Sequence, residues 1–524
     1  MALTKVTYSM IEGATANILD FGASPSNSAA DNTTAINAAI QAANSIYIPS
    51  GVFTTNFITL RSGVSIYGAG PSSILSFPAG QSGLYGLSSG AGSYLEDITL
   101  SNFKLLGAVA ASGFSEFVHL INVNGVRNLL IDGVQFVGFQ GDGLYLGAHS
   151  DNTRHNINVS VTNCLFDGVN KDNRNGISAI DCDGLKVSGC SFKRLTRSNM
   201  PGPIDIEPNV NANTVRNISV IGNSFEDTDA AVGVFSVAVV GKTLTVDPTN
   251  FTFSNNIVNA TQRMVTFLVD GTYTSNHNLN VIGNTSVGTG GGGQFYPKLH
   301  GGCFSNNIIR GGTLFGFSAG DSIKDLSIIG NTFDGASVTD RAFNLRDGSG
   351  ITISGNTFSN YTTYGFLCGI SGGTLSNVSI TGNTFVNVST YAVGSAGGTD
   401  GSTCTYMNNT SAVTHQFPAW RTDDTGNITN GDTSPTTFNA DNLPSEFARQ
   451  GIFRSTINGD TAVPNTSGRQ GLLETHCEAG QNGRKWKYQV YWPANNTTNV
   501  KSFYLRKAAN ATDTWETWAE VVGV

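Results

Sequence analysis

The feature that most constrains this chain is a short motif that returns along much of its length. "VSVTNCLFDG" (159–168), "LKVSGCSFKR" (185–194), "ISVIGNSFED" (218–227), "LSIIGNTFDG" (326–335), "ITISGNTFSN" (351–360) and "VSITGNTFVN" (378–387) are examples. Each has an alternating apolar stretch, then in most cases Gly-Asn or Asn-Asn, then often Thr/Ser-Phe. The second residue of the pair falls at Cys164, Cys190, Asn223, Asn256, Asn284, Asn307, Asn331, Asn356, Asn383 and Asn409, at intervals of 23 to 33 residues. That spacing is too irregular for a propeller and too long for a hexapeptide solenoid. It fits the coils of a parallel β-helix, whose turns absorb insertions. Equivalent side chains one coil apart then lie ~4.8 Å from each other. Stacked asparagines can hydrogen-bond as a ladder, and an inward phenylalanine from each coil can form an apolar stack. Cys164 and Cys190 read as small, reduced, buried residues at the ladder position, with a disulfide or reactive thiol as the alternative.

Composition agrees with many short strands. The 524 residues include 63 glycines, and only 13% are charged. A formal net charge of -8 without a basic run argues against a nucleic-acid partner and does not favour an anionic membrane surface. No apolar run approaches the ~20 residues of a membrane span, and the start "MALTKVTYSM" lacks the apolar core of a secretory signal. The seven cysteines form no C-x-x-C pair, so no metal site, cofactor or disulfide framework is expected.

The two ends read differently. "DNTTAINAAIQAAN" (31–44) places Ile36, Ala39, Ile40 and Ala43 on one helical face, with Asp31 as N-cap. "IYIPSGVF" (46–53) follows as a strand and turn. A helix ahead of the first coil would shield the open end of the solenoid. All five tryptophans lie after residue 419, and residues 421–446 are polar and turn-rich, as a connector is. The expected organisation is a leader at 1–20, a helix-capped entry at 21–100, a β-helix at 101–414, a linker at 415–439 and a small β-rich domain at 440–524.

"LDFGAS" (19–24), "DNTTAINAAIQAA" (31–43) and "IYIPSGVF" resemble the entry segment of bacteriophage tailspikes of the pectate-lyase-like superfamily. "TKVTYSMIEGATANI" resembles the leader of such tail proteins. "GIFRSTINGD", "KWKYQVYWP", "FYLRKAAN" and "TWETWAEV" resemble the knob-like domain that ends many phage tail fibres. The resemblance implies a right-handed β-helix, a homotrimer, and attachment to virion tail or baseplate proteins through the N-terminus. It also implies location on the virion and binding, usually with cleavage, of a bacterial surface polysaccharide.

Aligning the strands that follow each ladder segment brings Leu144, Ile177, Ile204, Val234, Val265, Phe343 and Phe366 into one inward register. Period two then turns Tyr145, Ser178, Asp205, Phe235 and Thr266 outward, with Glu207 in the next outward column. Asp205 and Glu207, in "GPIDIEP" (202–208), are expected to face water together, their Cα atoms ~6.5 Å apart. Glycoside hydrolysis needs one protonated acid and one ionised carboxylate, and two adjacent carboxyls push their proton affinities apart. Tailspike-like proteins often show a similar D-x-E-P-N run. Asp181 and Asp142 are further catalytic candidates. Tyr145 and Phe235 are candidate sugar platforms, and Arg174, Arg197 and His155 candidate contacts to an anionic sugar. For Asp172, Glu226, Asp227 and Asp229 a solvated turn charge is the simpler reading. A polysaccharide lyase on the same fold would need a base such as His, Lys or Tyr and a cation for a uronate carboxylate. His155 is the only histidine expected near the groove. A non-catalytic adhesin is the third reading. The aromatics Trp486, Tyr488, Tyr491, Trp492, Phe503, Tyr504, Trp515 and Trp518 read first as the core of the terminal domain, with glycan or trimer contacts as the alternative.

Overall fold

The computed structural model describes residues 13–413 except 88–92, 230–231, 261–262, 271–272, 274, 288–292, 298, 311–314, 318–322, 371–372 and 397–403; beyond 413 it describes the backbone of a few strands. The chain winds as a parallel β-helix, as the repeat predicts, and the helix is right-handed, as the resemblance implies. Three parallel sheets of 15, 13 and 15 strands form its walls. One coil shows the plan. Cys182–Ser188 lies in the first sheet, Ser191–Lys193 in the third and Ile204–Ile206 in the second, and Val215–Ile221 then returns to the first, one coil on. Longer insertions occupy the two corners that flank the second sheet, such as residues 194–203 and 207–214.

The tight corner between the first and third sheets explains the Gly-Asn and Asn-Asn pairs. Its first residue sits at positive φ in coil after coil: Asn163 (54°), Gly189 (64°), Gly222 (68°), Asn255 (54°), Gly330 (66°), Gly382 (64°). Glycine and asparagine are the residues that tolerate this region. The second residue turns into the coil and joins the ladder. Asn307 is representative. Its Nδ2 donates to Asn331 Oδ1 and to the Val281 carbonyl, both at 2.9 Å. Its Oδ1 accepts from the backbone N–H and the Nδ2 of Asn284, again both at 2.9 Å. The same pattern carries the ladder from Asn223 to Asn409. Cys164 and Cys190 begin it as buried free thiols, the Cys164 N–H donating to Cys190 Sγ at 3.4 Å.

Beside the ladder runs the phenylalanine stack. Phe136, Phe166, Phe192 and Phe225 follow one another at centroid distances of 4.4, 4.7 and 4.8 Å. The stack is not continuous. Val258, Ser286 and Ile309 hold its positions in the middle coils, and Phe333, Phe358 and Phe385 resume it at 5.1 and 5.0 Å.

At the amino end the helix Ala29–Ala42 buries Ile36, Ala39 and Ile40 against the first coil, with Ala43 buried as the residue that ends it. Asp31 is not its cap. Ser28 is, accepting the Asp31 N–H at 3.2 Å, while the Asp31 carboxylate takes the Ser28 hydroxyl at 2.7 Å from inside the first turn. Two alanines precede the expected cap, and both have helical geometry, so the helix starts earlier. Beyond residue 450, Gly451–Asn458, Gln470–Glu478, Trp486–Pro493, Ser502–Lys507 and Ala519–Val522 form an antiparallel sheet of five strands. The side chains of its aromatics lie outside the described residues, as do Trp515 and Trp518 altogether.

From Asn256 to Asn383 each ladder amide is buried and makes four hydrogen bonds, two accepted and two donated. Asn331→Ala removes the shared acceptor of the buried Asn307 N–H and Nδ2, and with it the amide that donates to the Phe304 carbonyl and to Asn356 Oδ1, so a loss of about 3 kcal/mol or more is expected. Asn250→Gly keeps its positive φ and removes only solvent-exposed amide bonds, and should cost less than about 1 kcal/mol. Guanidinium unfolding of the two variants checks the contrast, and equal losses contradict it.

Candidate active site

The strand Ile204–Ile206 lies between Ile177–Ala179 and Gly233–Val239 in the second sheet. Ile177, Ile204 and Phe235 are in register and fill the interior, so Ser178, Asp205 and Ser236 share the opposite face. Phe235 is therefore not a surface platform. It is fully buried and stacks on Phe253 at 5.7 Å. The run "VGVFSVAVV" is apolar at almost every position, so its pattern could not distinguish two registers one residue apart. The larger ring took the core position, and that slip reverses every side chain of the strand.

Asp205 stands on the outward column but not in water. It is 0% exposed, whereas the Glu207 side chain is 46% exposed. Strand alternation sets the wall an acid occupies; the corner loop of the preceding coil decides what covers it. Here that loop brings Asn175 to 3.4 Å and Arg174 Nη2 to 4.0 Å from Asp205 Oδ2. Asn175 is best satisfied with its amide nitrogen donating to the Arg174 and Gly202 carbonyls and its oxygen accepting from Ser178 Oγ. An oxygen then faces Asp205, which suits a protonated carboxyl. Among the described residues Asp205 Oδ1 makes no well-formed hydrogen bond, and the neighbouring Ser236 hydroxyl gives the carboxylate only a minor stabilisation. Burial first, then the charge of Glu207, pushes the Asp205 carboxyl up to about 8, with Arg174 acting in the opposite direction.

Arg174 ties the site together. Its Nη1 donates to Asp142 Oδ2 at 3.1 Å and to Ser178 Oγ at 2.9 Å. Its Nη2 lies 3.7 Å from Glu207 Oε2, and its Nε 3.8 Å from Glu116 Oε1. Burial opposes the Arg174 charge, but Asp142, then Asp205 and Glu207, outweigh it and raise its proton affinity. Asp142 is fully buried, accepts the Asn175 N–H at 3.0 Å and lies 3.2 Å from His119 Nδ1. The His119 ring stacks on Tyr145 at 4.5 Å. Burial, then Asp142, raises the proton affinity of the Tyr145 hydroxyl, with Glu207 adding to it and Arg174 opposing.

The structure thus brings together Asp142, Tyr145, Arg174, Asp205 and Glu207. Asp181 and His155 pair with each other instead, at 2.8 Å, and none of their bonds reaches the Arg174 cluster. Buried Asp181 also accepts the Thr214 N–H, so it fastens a corner, and its bond to His155 raises the imidazole proton affinity. Arg197 lies over the Phe114 ring at 4.5 Å and 3.6 Å from Asp172, again without a bond into the cluster. The histidine that lies beside Asp142 and Tyr145 is His119, whereas His155 pairs with Asp181. Neither His119 nor Glu116 carried a signal, because the segment between Gly113 and Leu120 lies outside the repeated motif.

No protein-family model and no curated protein sequence matches the chain. Among solved structures it is similar to the N-terminal fragment of gene product 12 of bacteriophage Phi29, at 14% identity and a TM-score of 0.51, over 75% of this chain and 66% of that one. That likeness is one of fold. Weaker matches include the catalytic unit of a GH87 alpha-1,3-glucanase from Streptomyces thermodiastaticus (15% identity, 79% and 68% covered, TM-score 0.48). Another is tailspike protein gp49 of Acinetobacter baumannii bacteriophage Fri1, a capsular polysaccharide depolymerase (14%, 98% and 80%, 0.46).

A raised carboxyl makes folding weaker as pH rises. The folded state keeps the Asp205 proton where the unfolded chain has released it, so the stabilisation is complete below pH 3.8 and is lost up to about pH 8. Asn at this position removes the titration. The melting temperature of the native chain, measured relative to D205N, should therefore fall across that window, by the equivalent of a few kcal/mol. A constant difference would contradict the buried neutral acid.

Proposed function

We propose that the chain is a glycoside hydrolase of a phage tail. It binds a bacterial surface polysaccharide, capsule or O-antigen, and hydrolyses its glycosidic bonds on the wall that carries Glu207. The observation that carries this reading is a half-exposed carboxylate, Glu207, set over a buried carboxyl, Asp205, whose proton affinity is pushed towards neutrality. A carboxylate open to a substrate, with a neutral rather than a charged acid buried beside it, suits acid–base cleavage of a glycoside. In this role Glu207 meets the sugar. Asp205, neutral beneath it, relieves Glu207 of one adjacent like charge. Arg174 holds both in place, while Tyr145 offers a ring at the edge of the groove. The shared fold with a bacteriophage protein supports the phage setting, with a homotrimer anchored to tail or baseplate proteins through its N-terminus.

A lyase is the second reading, and His119 beside Tyr145 favours it, since both are base types that β-elimination uses. Against it stands Arg174. The cation that would neutralise a uronate is already engaged by Asp142 and flanked by Glu207 and Glu116.

Incubation with a panel of purified capsular and O-antigen polysaccharides separates these readings. A hydrolase releases reducing ends without the near-ultraviolet absorbance of an unsaturated product. E207Q should lose at least about 100-fold in turnover while still binding the polysaccharide. Unsaturated fragments would establish the lyase, binding without fragments an adhesin, and an E207Q variant at full rate would move the chemistry elsewhere.

A further inference from the structure

We propose that the turn at residues 115–118 completes this site: Glu116 supplies the second carboxyl that touches the sugar, and Phe117 a face for the ring to rest on. The inference builds on the reading of Glu207 as a substrate-contacting carboxylate. Hydrolysis needs two carboxyls at the scissile bond, and neither Asp205 nor Asp142 can be the other one, both being fully buried. Among the described carboxylates ion-paired with Arg174, only Glu116 and Glu207 reach solvent, each 46% exposed.

The two approach one edge of the same guanidinium. Glu116 Oε1 lies 3.8 Å from Nε and Glu207 Oε2 3.7 Å from Nη2. Both distances exceed a hydrogen bond, and among the described residues the buried Nε has no hydrogen-bond partner. The fork geometry of arginine limits the separation of the two carboxylate oxygens to about 10 Å, and glycosidases place their carboxyls ~5 to ~9.5 Å apart.

The turn is fastened to the site. Ser115 N–H donates to the Gln140 carbonyl at 3.2 Å, and Gly141 N–H to the Val118 carbonyl at 2.8 Å. The turn closes so tightly on Gly141 that a Cβ there would come within 2.7 Å of the Glu116 carbonyl oxygen. His119, the next residue, is locked against Asp142 and Tyr145. Phe117 is 78% exposed, a large aromatic face without a core to fill. Such a face suits the apolar side of a sugar ring, the platform that Phe235 does not provide.

In the step itself, one carboxyl gives its proton to the leaving oxygen as the C1–O bond breaks. The other takes a proton from the water whose oxygen bonds to C1. One water is consumed, and a hemiacetal and an alcohol are formed. The test uses the full chain and whichever purified polysaccharide of the panel it cleaves. E116Q should lower kcat about 100-fold or more, keep binding, and remove one limb of the pH–rate profile. F117A should raise KM about 10-fold with kcat nearly kept. Gly141→Ala, which displaces the turn while leaving both glutamates intact, should lower kcat as E116Q does. E116Q at full rate with E207Q inactive would overturn the role of Glu116 and leave the hydrolase reading standing. A native chain that cleaves none of the panel, or E207Q at full rate, would overturn both.

Discussion

A buried amide with every donor and acceptor filled is the interaction on which this structure depends. Asparagine in a protein interior is costly unless its bonds are made. The ladder makes them by placing the next asparagine one strand spacing away, so each coil specifies the position of its neighbour. The corner that presents the amide needs a residue at positive φ just before it, and Gly or Asn provides it. Two local requirements, one of backbone and one of polarity, thereby set the register of the first and third sheets. Insertions that would break this corner are instead accommodated at the two corners flanking the second sheet.

That division between a rigid corner and tolerant ones positions the candidate site. The second-sheet strands deliver Tyr145 and Asp205 to one wall, with Glu207 the first residue beyond Ile204–Ile206. The variable corners deliver Asp142 and Arg174 over it, and a turn outside the repeat adds Glu116 and His119. Electrostatics then sorts these groups. One guanidinium is shared among Asp142, Asp205, Glu207 and Glu116. The carboxyl that is both buried and denied a full set of bonds, Asp205, is the one best accommodated without its charge. The exposed carboxylates remain at the rim, where a substrate can reach them.

How much of this could be read beforehand follows from what repeats. The ladder and the parallel coil are legible because the same residue types recur at the same place in most coils, whereas the aromatic column breaks where Val258, Ser286 and Ile309 take its place. The shared neighbourhood of Asp205 and Glu207 was legible from strand alternation alone. The burial of Asp205 was not, because it depends on Asn175 and Arg174, which arrive from a non-repeating loop. Phe235 was misplaced because a continuous apolar run holds no information about a one-residue slip. An acid at a helix start suits either the cap or the first turn, so sequence alone does not separate Asp31 from Ser28, which occupies the cap. Glu116 and His119 join the site through tertiary placement of a segment with no pattern of its own.

The position of a bound glycan on the coil decides whether the Arg174 cluster is the site of cleavage. A crystal structure of the inactive E207Q chain soaked with an oligosaccharide of a cleavable polysaccharide answers this. A glycosidic oxygen is expected over residue 207, with the sugar chain crossing the second sheet between Tyr145 and the turn that carries Phe117. An oligosaccharide bound on the first or third wall, with the Arg174 cluster untouched, would contradict it.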